Sequence, residues 1–187
     1  EPRLERASIV HLDEHAGRKV FLRFQSALGG ADDVQIDLNF LFRVPLGEPV
    51  TRELWQPGDL ARPSLRLAPF VEVAAGKLVA TLGRGLPRDL YDTSRLPGLD
   101  AETWSRPTLR RTFVALTGVL DRPLTDYHQD RLRVTDQQVR DQLDPMLARD
   151  DRVSAADLNA RAWQVLAPLL ALTDAEREYT DRLQLGE

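Results

Sequence analysis

Val71-Glu72-Val73-Ala74-Ala75-Gly76-Lys77-Leu78-Val79-Ala80-Thr81-Leu82-Gly83-Arg84-Gly85-Leu86-Pro87-Arg88-Asp89-Leu90-Tyr91-Asp92 is where the chain changes period. Within this stretch apolar residues recur every three to four positions, as one face of a helix requires. The spacing predicts a helix over Val71 to Arg84. Gly85-Leu86 breaks it, and Pro87, placed in a first turn where its missing N–H costs nothing, opens a second helix through Leu96.

Upstream the period is two. Val20, Leu22 and Phe24 alternate with Phe21, Arg23 and Gln25, and Val34, Ile36, Leu38 and Phe40 alternate with Gln35, Asp37 and Asn39. Gly29-Gly30 between the two runs supplies the positive φ of a reversal, so a hairpin is expected, with Ser8 to Leu12 as a further strand. A hairpin is marginal alone, and the apolar positions are expected to face a core under helices. Residues 43–70 carry Pro45, Pro49, Pro57, Pro63 and Pro69, which reads as loop with short edge strands. Downstream, a third helix should follow Pro107, and others should cover about 124–148, 154–172 and 174–185. Ser154 with Asp157 and Thr173 with Glu176 carry the spacing of capping boxes, and Pro168 should kink or split its helix. Strands first and helices afterwards make an α+β fold: a small mixed or antiparallel sheet, then a helical C-terminal region.

Composition excludes several classes. The chain of 187 residues has no Cys, which removes a disulfide scaffold, a thiolate zinc site and a cysteine nucleophile, and fits a reducing compartment. No apolar run is long enough to span a bilayer, and the charged opening Glu1-Pro2-Arg3-Leu4-Glu5-Arg6 carries no secretory signal, so a cytoplasmic protein without membrane partners is expected. The net charge is -4, spread evenly along the chain, which argues against tight nonspecific binding of nucleic acid. The 25 basic residues include only two lysines, Lys19 and Lys77.

Three places could carry chemistry. Asp37 stands on the polar face of a strand with Gln35 and Asn39, a rigid carboxylate suited to Mg²⁺ or simply a solvated face. Lys77 aligns on its helix with Thr81 and Arg84, giving a hydroxyl and two cations that suit phosphate, against the alternative of an ordinary surface lysine. Arg88, Asp89 and Asp92 lie at a helix N-terminus, where acidic residues also serve the helix dipole. Weaker candidates are His11 with His15, which lack the His-Glu-x-x-His spacing, and the Arg106, Arg110 and Arg111 cluster, which reads as a solvated helix face. Trp55, Trp104 and Trp163 read as core or interface residues.

The string Ala75-Gly76-Lys77-Leu78-Val79-Ala80, followed by Arg84 and Pro87-Arg88-Asp89-Leu90-Tyr91-Asp92, resembles the AbiEii-type nucleotidyltransferase toxins of abortive-infection and toxin-antitoxin systems. The tail Leu172 to Tyr179 is similar to that family's closing helix, and the resemblance runs from about Ile36 to the C-terminus. It implies the polymerase-β-like nucleotidyltransferase superfamily, with 1–75 as the sheet-containing part of the core and 76–187 as a helical domain. It further implies transfer of NMP from NTP to RNA, as at the tRNA 3′ end in mycobacterial relatives, with arrest of translation and a cognate antitoxin as partner. Asp37 matches the third of three carboxylates that hold Mg²⁺. Lys77, Thr81, Arg84 and Arg88 would contact the nucleotide, with Asp37, Lys77, Asp89 and Asp92 as catalytic residues. The superfamily's opening signature, Gly-Gly or Gly-Ser followed by Asp-x-Asp, is missing upstream of Asp37, and Gly29-Gly30 with Asp32 and Asp33 is too tightly spaced to replace it. Two readings stay open: an N-terminally shortened enzyme, or a member that has lost the reaction and binds an antitoxin or RNA.

Overall fold

The computed structural model describes residues 4–12, 17–26, 29–39, 45–56 and 58–185. The chain divides into two compact units, 1–45 and 46–187. The first holds three antiparallel strands in the order β1-β2-β3: β1 (Leu4–Leu12), β2 (Gly17–Gln25) and β3 (Ala31–Asn39). The reversal from β2 to β3 is closed by Ser26 N–H to Gly30 O at 2.9 Å and Gly29 N–H to Ser26 O at 3.1 Å, with φ of 91° at Gly29 and 86° at Gly30. Only glycine takes that pair of angles without strain.

Register places Ile9 opposite Val20 and Val20 opposite Ile36, with Ala7, Leu22 and Val34 in the next such row. The alternation expected from sequence is therefore present, but the packing is not. Val34, Ile36 and Leu38 are 40 to 48% exposed, so the face expected to lie in a core is uncovered within this unit. Three strands alone bury one side of their pleat only if a second layer is laid on it. Across β2 and β3, Arg23 grips Asp33 with two N–H donors at 3.1 and 2.9 Å, and that pairing holds the Asp33 carboxyl below the usual range.

The second unit opens with a short antiparallel pair, β4 (Val50–Glu53) and β5 (Ser64–Leu67), within the proline-rich stretch. Trp55 beside it is 80% exposed, which removes the core half of the core-or-interface reading, whereas Trp104 and Trp163 pack on the helical core. Seven α-helices follow: α1 (Phe70–Arg84), α2 (Pro87–Leu99), α3 (Ala101–Ser105), α4 (Pro107–Leu116), α5 (Asp136–Gln142), α6 (Ala155–Leu170) and α7 (Asp174–Gln184). Pro87 and Pro107 stand at first-turn positions, and Gly85 ends α1 in the left-handed conformation, φ 61°, its N–H returned to Thr81 O at 2.9 Å. Thr173 and Glu176 form the expected reciprocal cap of α7. Ser154 caps α6 through Asp157 N–H, but the Asp157 carboxylate takes the Ser154 hydroxyl rather than a backbone donor. α6 passes through Pro168 unsplit and ends two residues later.

The apolar stripe of α1 (Ala74, Ala75, Leu78, Val79, Leu82) packs on Leu109, Phe113 and Val114 of α4 and on Leu166 of α6. A second core joins Leu90 of α2 to Val134, Val139, Leu143, Leu158 and Ala162. The helix expected over 124–148 is replaced by 3₁₀ turns and the seven residues of α5. Thr135 is the cap of α5 and cannot also lie inside a helix, and Asn159 from α6 claims both backbone groups of Val134 at 2.9 Å each. Buried Leu124, Tyr127, Leu132 and Val134 act as separate anchors of an irregular segment. Their spacing resembles a helical stripe without being one.

Arg110 is not a solvated cation. Its Nε and Nη2 donate to the two oxygens of Glu176 at 2.6 and 2.8 Å, and the guanidinium also reaches Pro168 O and Ala171 O at 2.9 and 2.8 Å. One side chain of α4 thus ties the end of α6 to the start of α7. The Arg110 hydrogen bonds, aided by Thr173, push the Glu176 carboxyl from 4.5 down to about 2. A carboxyl depressed on folding adds stability above its unfolded value and loses it as pH falls through the folded one. Arg110→Gln should therefore cost on the order of 2–3 kcal/mol near neutral pH, and its deficit against the parent should shrink between about pH 4.5 and 2. Urea unfolding across that window measures it; a deficit independent of pH would exclude Glu176 as the linked group.

Candidate functional site

The helical hairpin of α1 and α2 is joined by polar groups as well as by leucines. Thr81 and Thr93 are fully buried and share a hydroxyl hydrogen bond of 2.7 Å across the interface. The Thr81 hydroxyl also lies 2.9 Å from Lys77 O and 3.1 Å from Asp89 O. Asp89 is 2% exposed. Its Oδ1 accepts from Arg84 Nη2 at 2.6 Å and its Oδ2 from the Leu86 N–H at 3.4 Å, so the carboxylate spans the turn between the two helices. A buried carboxylate left without a partner is expensive, and here a cation and a backbone donor offset that cost.

One turn further along α2, Asp92 Oδ2 meets Lys77 Nζ at 2.7 Å, with both side chains 40 to 45% exposed. This second clasp is open to water. Arg88 stands on the exposed side of α2 with no ion-pair partner among the described residues. The structure thus brings together Lys77, Thr81, Arg84, Arg88, Asp89 and Asp92 in one hairpin, in two classes. Lys77, Arg88 and Asp92 face solvent, Arg84 straddles the edge, and Thr81 and Asp89 face inward, where the Thr81 hydroxyl meets helix backbone and Thr93.

Asp37 lies in the other unit, on exposed β3, with Gln35 Nε2 donating to both its oxygens at 2.9 Å and Lys19 Nζ at 3.8 Å. The second of the two lysines thus also has an acidic neighbour. A Mg²⁺ ion requires several hard oxygens converging on one point, and among the described residues no group of three His, Asp or Glu side chains does so. Asp37 with its two nitrogen neighbours does not fit a metal by itself. The His11 and His15 reading lies outside the described side chains. Arg106 pairs with Glu102, Arg110 is committed as above, and Arg111 remains on the solvated face.

Residues 2–167 match the family described as "Nucleotidyl transferase AbiEii toxin, Type IV TA system". The chain belongs to the AbiEii family. The match begins ahead of β1, well before the Ile36 expected from sequence, and stops before α7, so the likeness seen in the tail from Leu172 lies outside it. Among solved structures, the fold is similar to that of MenT4, a nucleotidyltransferase toxin from Mycobacterium tuberculosis, with a TM-score of 0.53 and 21% identity over 96% of this chain. The chain spans 65% of that protein's length. No curated protein matches the sequence.

What sequence reasoning missed is the role of Thr93, whose only signal was its place one turn from Asp89 on the face shared with Leu90 and Leu96. The two clasps differ in burial, and their energies should differ accordingly. Arg84→Ala, which strands buried Asp89, is expected to cost about 2–3 kcal/mol, and Lys77→Ala under about 1 kcal/mol. Thermal and urea unfolding of the two variants checks this, and equal losses would contradict the inward and outward assignment.

Proposed function

We propose that the chain is a nucleotidyltransferase toxin that transfers NMP from NTP to RNA, with the tRNA 3′ end as acceptor and inhibition of translation as the result. Membership of the AbiEii family supports the class of reaction. The observation that carries the assignment to residues is the exposed Lys77–Asp92 pair at 2.7 Å, with Arg88 beside it and without an ion-pair partner among the described residues.

In this reading the triphosphate displaces Asp92 from Lys77, and the ammonium and the Arg88 guanidinium neutralise phosphate oxygens. An exposed pair is worth little, so the exchange costs little. Asp92, released, accepts the proton of the acceptor hydroxyl as its oxygen attacks the α-phosphorus, and the bond to the β-phosphate breaks to release pyrophosphate. Arg84 and Asp89 hold the hairpin in register, and Thr81 positions Lys77 by binding its carbonyl. Divalent metal supplies charge neutralisation in such transfers. Asp37 is the carboxylate proposed for metal contact, and it would need further oxygen ligands beyond the groups that surround it among the described residues. NTP, the RNA acceptor and a cognate antitoxin are the partners proposed, in the cytoplasm where the first two are found.

A second reading has its own observation: the described residues bring no metal-binding carboxylate group together. Under it the same scaffold holds an antitoxin or RNA without transfer. Incubation with total tRNA, Mg²⁺ and each labelled NTP separates the two. Transfer predicts label at RNA 3′ ends, reduced on the order of 10²-fold or more by Lys77→Ala with folding retained. Undiminished label in that variant would remove Lys77 from the site, and no label from the parent, with tight capture of RNA or antitoxin, would favour the second reading.

A further inference from the structure

The cationic face of α2 continues past the family's Arg-Asp-Leu-Tyr-Asp string. Arg88, Asp92 and Arg95 stand at i, i+4 and i+7, on one stripe of the helix. Arg95 is exposed and its guanidinium has no carboxylate partner among the described residues. It is nonetheless fixed in place: its carbon lies 5.3 Å over the Tyr91 ring, and Nη1 donates to the Tyr91 hydroxyl at 2.5 Å. Tyr91 is itself anchored by packing against the second core. With Lys77 bound to Asp92, the stripe carries three cations against one carboxylate.

We propose that Arg95, held on Tyr91, is a phosphate-binding residue that extends the Lys77 and Arg88 site, and that the phosphate it takes belongs to the backbone of the RNA acceptor. This rests on the nucleotidyltransferase reading above. Arg88 and Arg95 are separated by seven residues, about 10 Å along the axis, which gives the stripe room for more than one phosphate group. With a triphosphate seated at Lys77 and Arg88, Arg95 is the remaining cation of the stripe and takes a phosphate of the second substrate. Cation–π contact and the tyrosine hydroxyl restrict the guanidinium before binding, so less side-chain entropy is lost when its planar fork meets phosphate oxygens. Tyr91 acts through Arg95 and is a positioning residue.

The test measures binding, which does not depend on turnover. Equilibrium affinity for a single-stranded RNA oligonucleotide and for each NTP is taken over a salt series with the parent chain, Arg95→Gln, Arg95→Lys, Tyr91→Phe and Tyr91→Leu. Arg95→Gln should weaken RNA roughly fivefold to tenfold and flatten the log–log salt slope by about 0.7, the weight of one single-strand phosphate contact, with NTP affinity unchanged. Arg95→Lys keeps the charge and should recover the slope but not the whole affinity. Tyr91→Phe keeps the ring and most of the binding, whereas Tyr91→Leu releases a guanidinium that stays charged and should behave like Arg95→Lys, with affinity lowered and the slope kept. Loss of NTP rather than RNA affinity would overturn the RNA source of the phosphate, and unchanged binding of both in Arg95→Gln would overturn the proposal while leaving the transferase reading intact. A parent chain that binds neither NTP nor RNA would overturn both.

Discussion

A carboxylate buried at the turn between two helices sets the geometry of the helical unit. Arg84 and the Leu86 N–H are held against the Asp89 carboxylate, which fixes the last turn of α1 relative to the first turn of α2. Once that turn is set, the hydroxyls of Thr81 and Thr93 meet in the interface, and the facing positions one turn further out fall opposite each other. Lys77 and Asp92 are those positions. The exposed pair is thus a consequence of the buried one.

Polar staples recur through the rest of this unit at places where apolar packing would leave a choice. Leucines and alanines fill the space between α1, α4 and α6, and many arrangements of similar volume would bury them about as well. Arg110 removes that freedom by engaging Glu176 and two carbonyls at once, and Asn159 does the same for the irregular segment at Val134. Each staple joins elements far apart in sequence, and each would leave an unpaired polar group if the elements slid. Among the described residues the first unit shows no such device on its apolar face: Arg23 and Asp33 fix strand register, and Val34, Ile36 and Leu38 are 40 to 48% exposed.

Local signals were the ones legible in the sequence. Paired glycines gave the reversal at Gly29-Gly30, prolines gave the starts of α2 and α4, and the threonine cap gave α7, because each acts within a turn or two of itself. The family string was legible as well, and with it the set of residues that the hairpin gathers. What could not be read was decided by distant partners. Arg110 and Arg111 are adjacent and chemically alike, and only the arrival of Glu176, 66 residues later, separates a staple from a surface charge. The segment over 124–148 failed for the same reason, since Asn159 takes the backbone groups a continuing helix would have used. Trp55, read as core or interface on average preference, is 80% exposed and so no core residue, a choice that no neighbour in sequence signals.

Burial also divides a motif whose members look equivalent in sequence. Arg84–Asp89 and Lys77–Asp92 are both cation–carboxylate pairs at closely similar distances, 2.6 and 2.7 Å. A charge that is 2% exposed cannot leave its partner without a penalty of several kcal/mol, so Asp89 is unsuited to any role in which its partner changes during a reaction cycle. Asp92 has water at hand, and its partner can exchange for a phosphate at almost no net cost. The physical difference between the two aspartates therefore runs opposite to the usual expectation that the more buried acid is the reactive one: the buried one holds the hairpin in register, and the solvated one is the one whose partner can exchange.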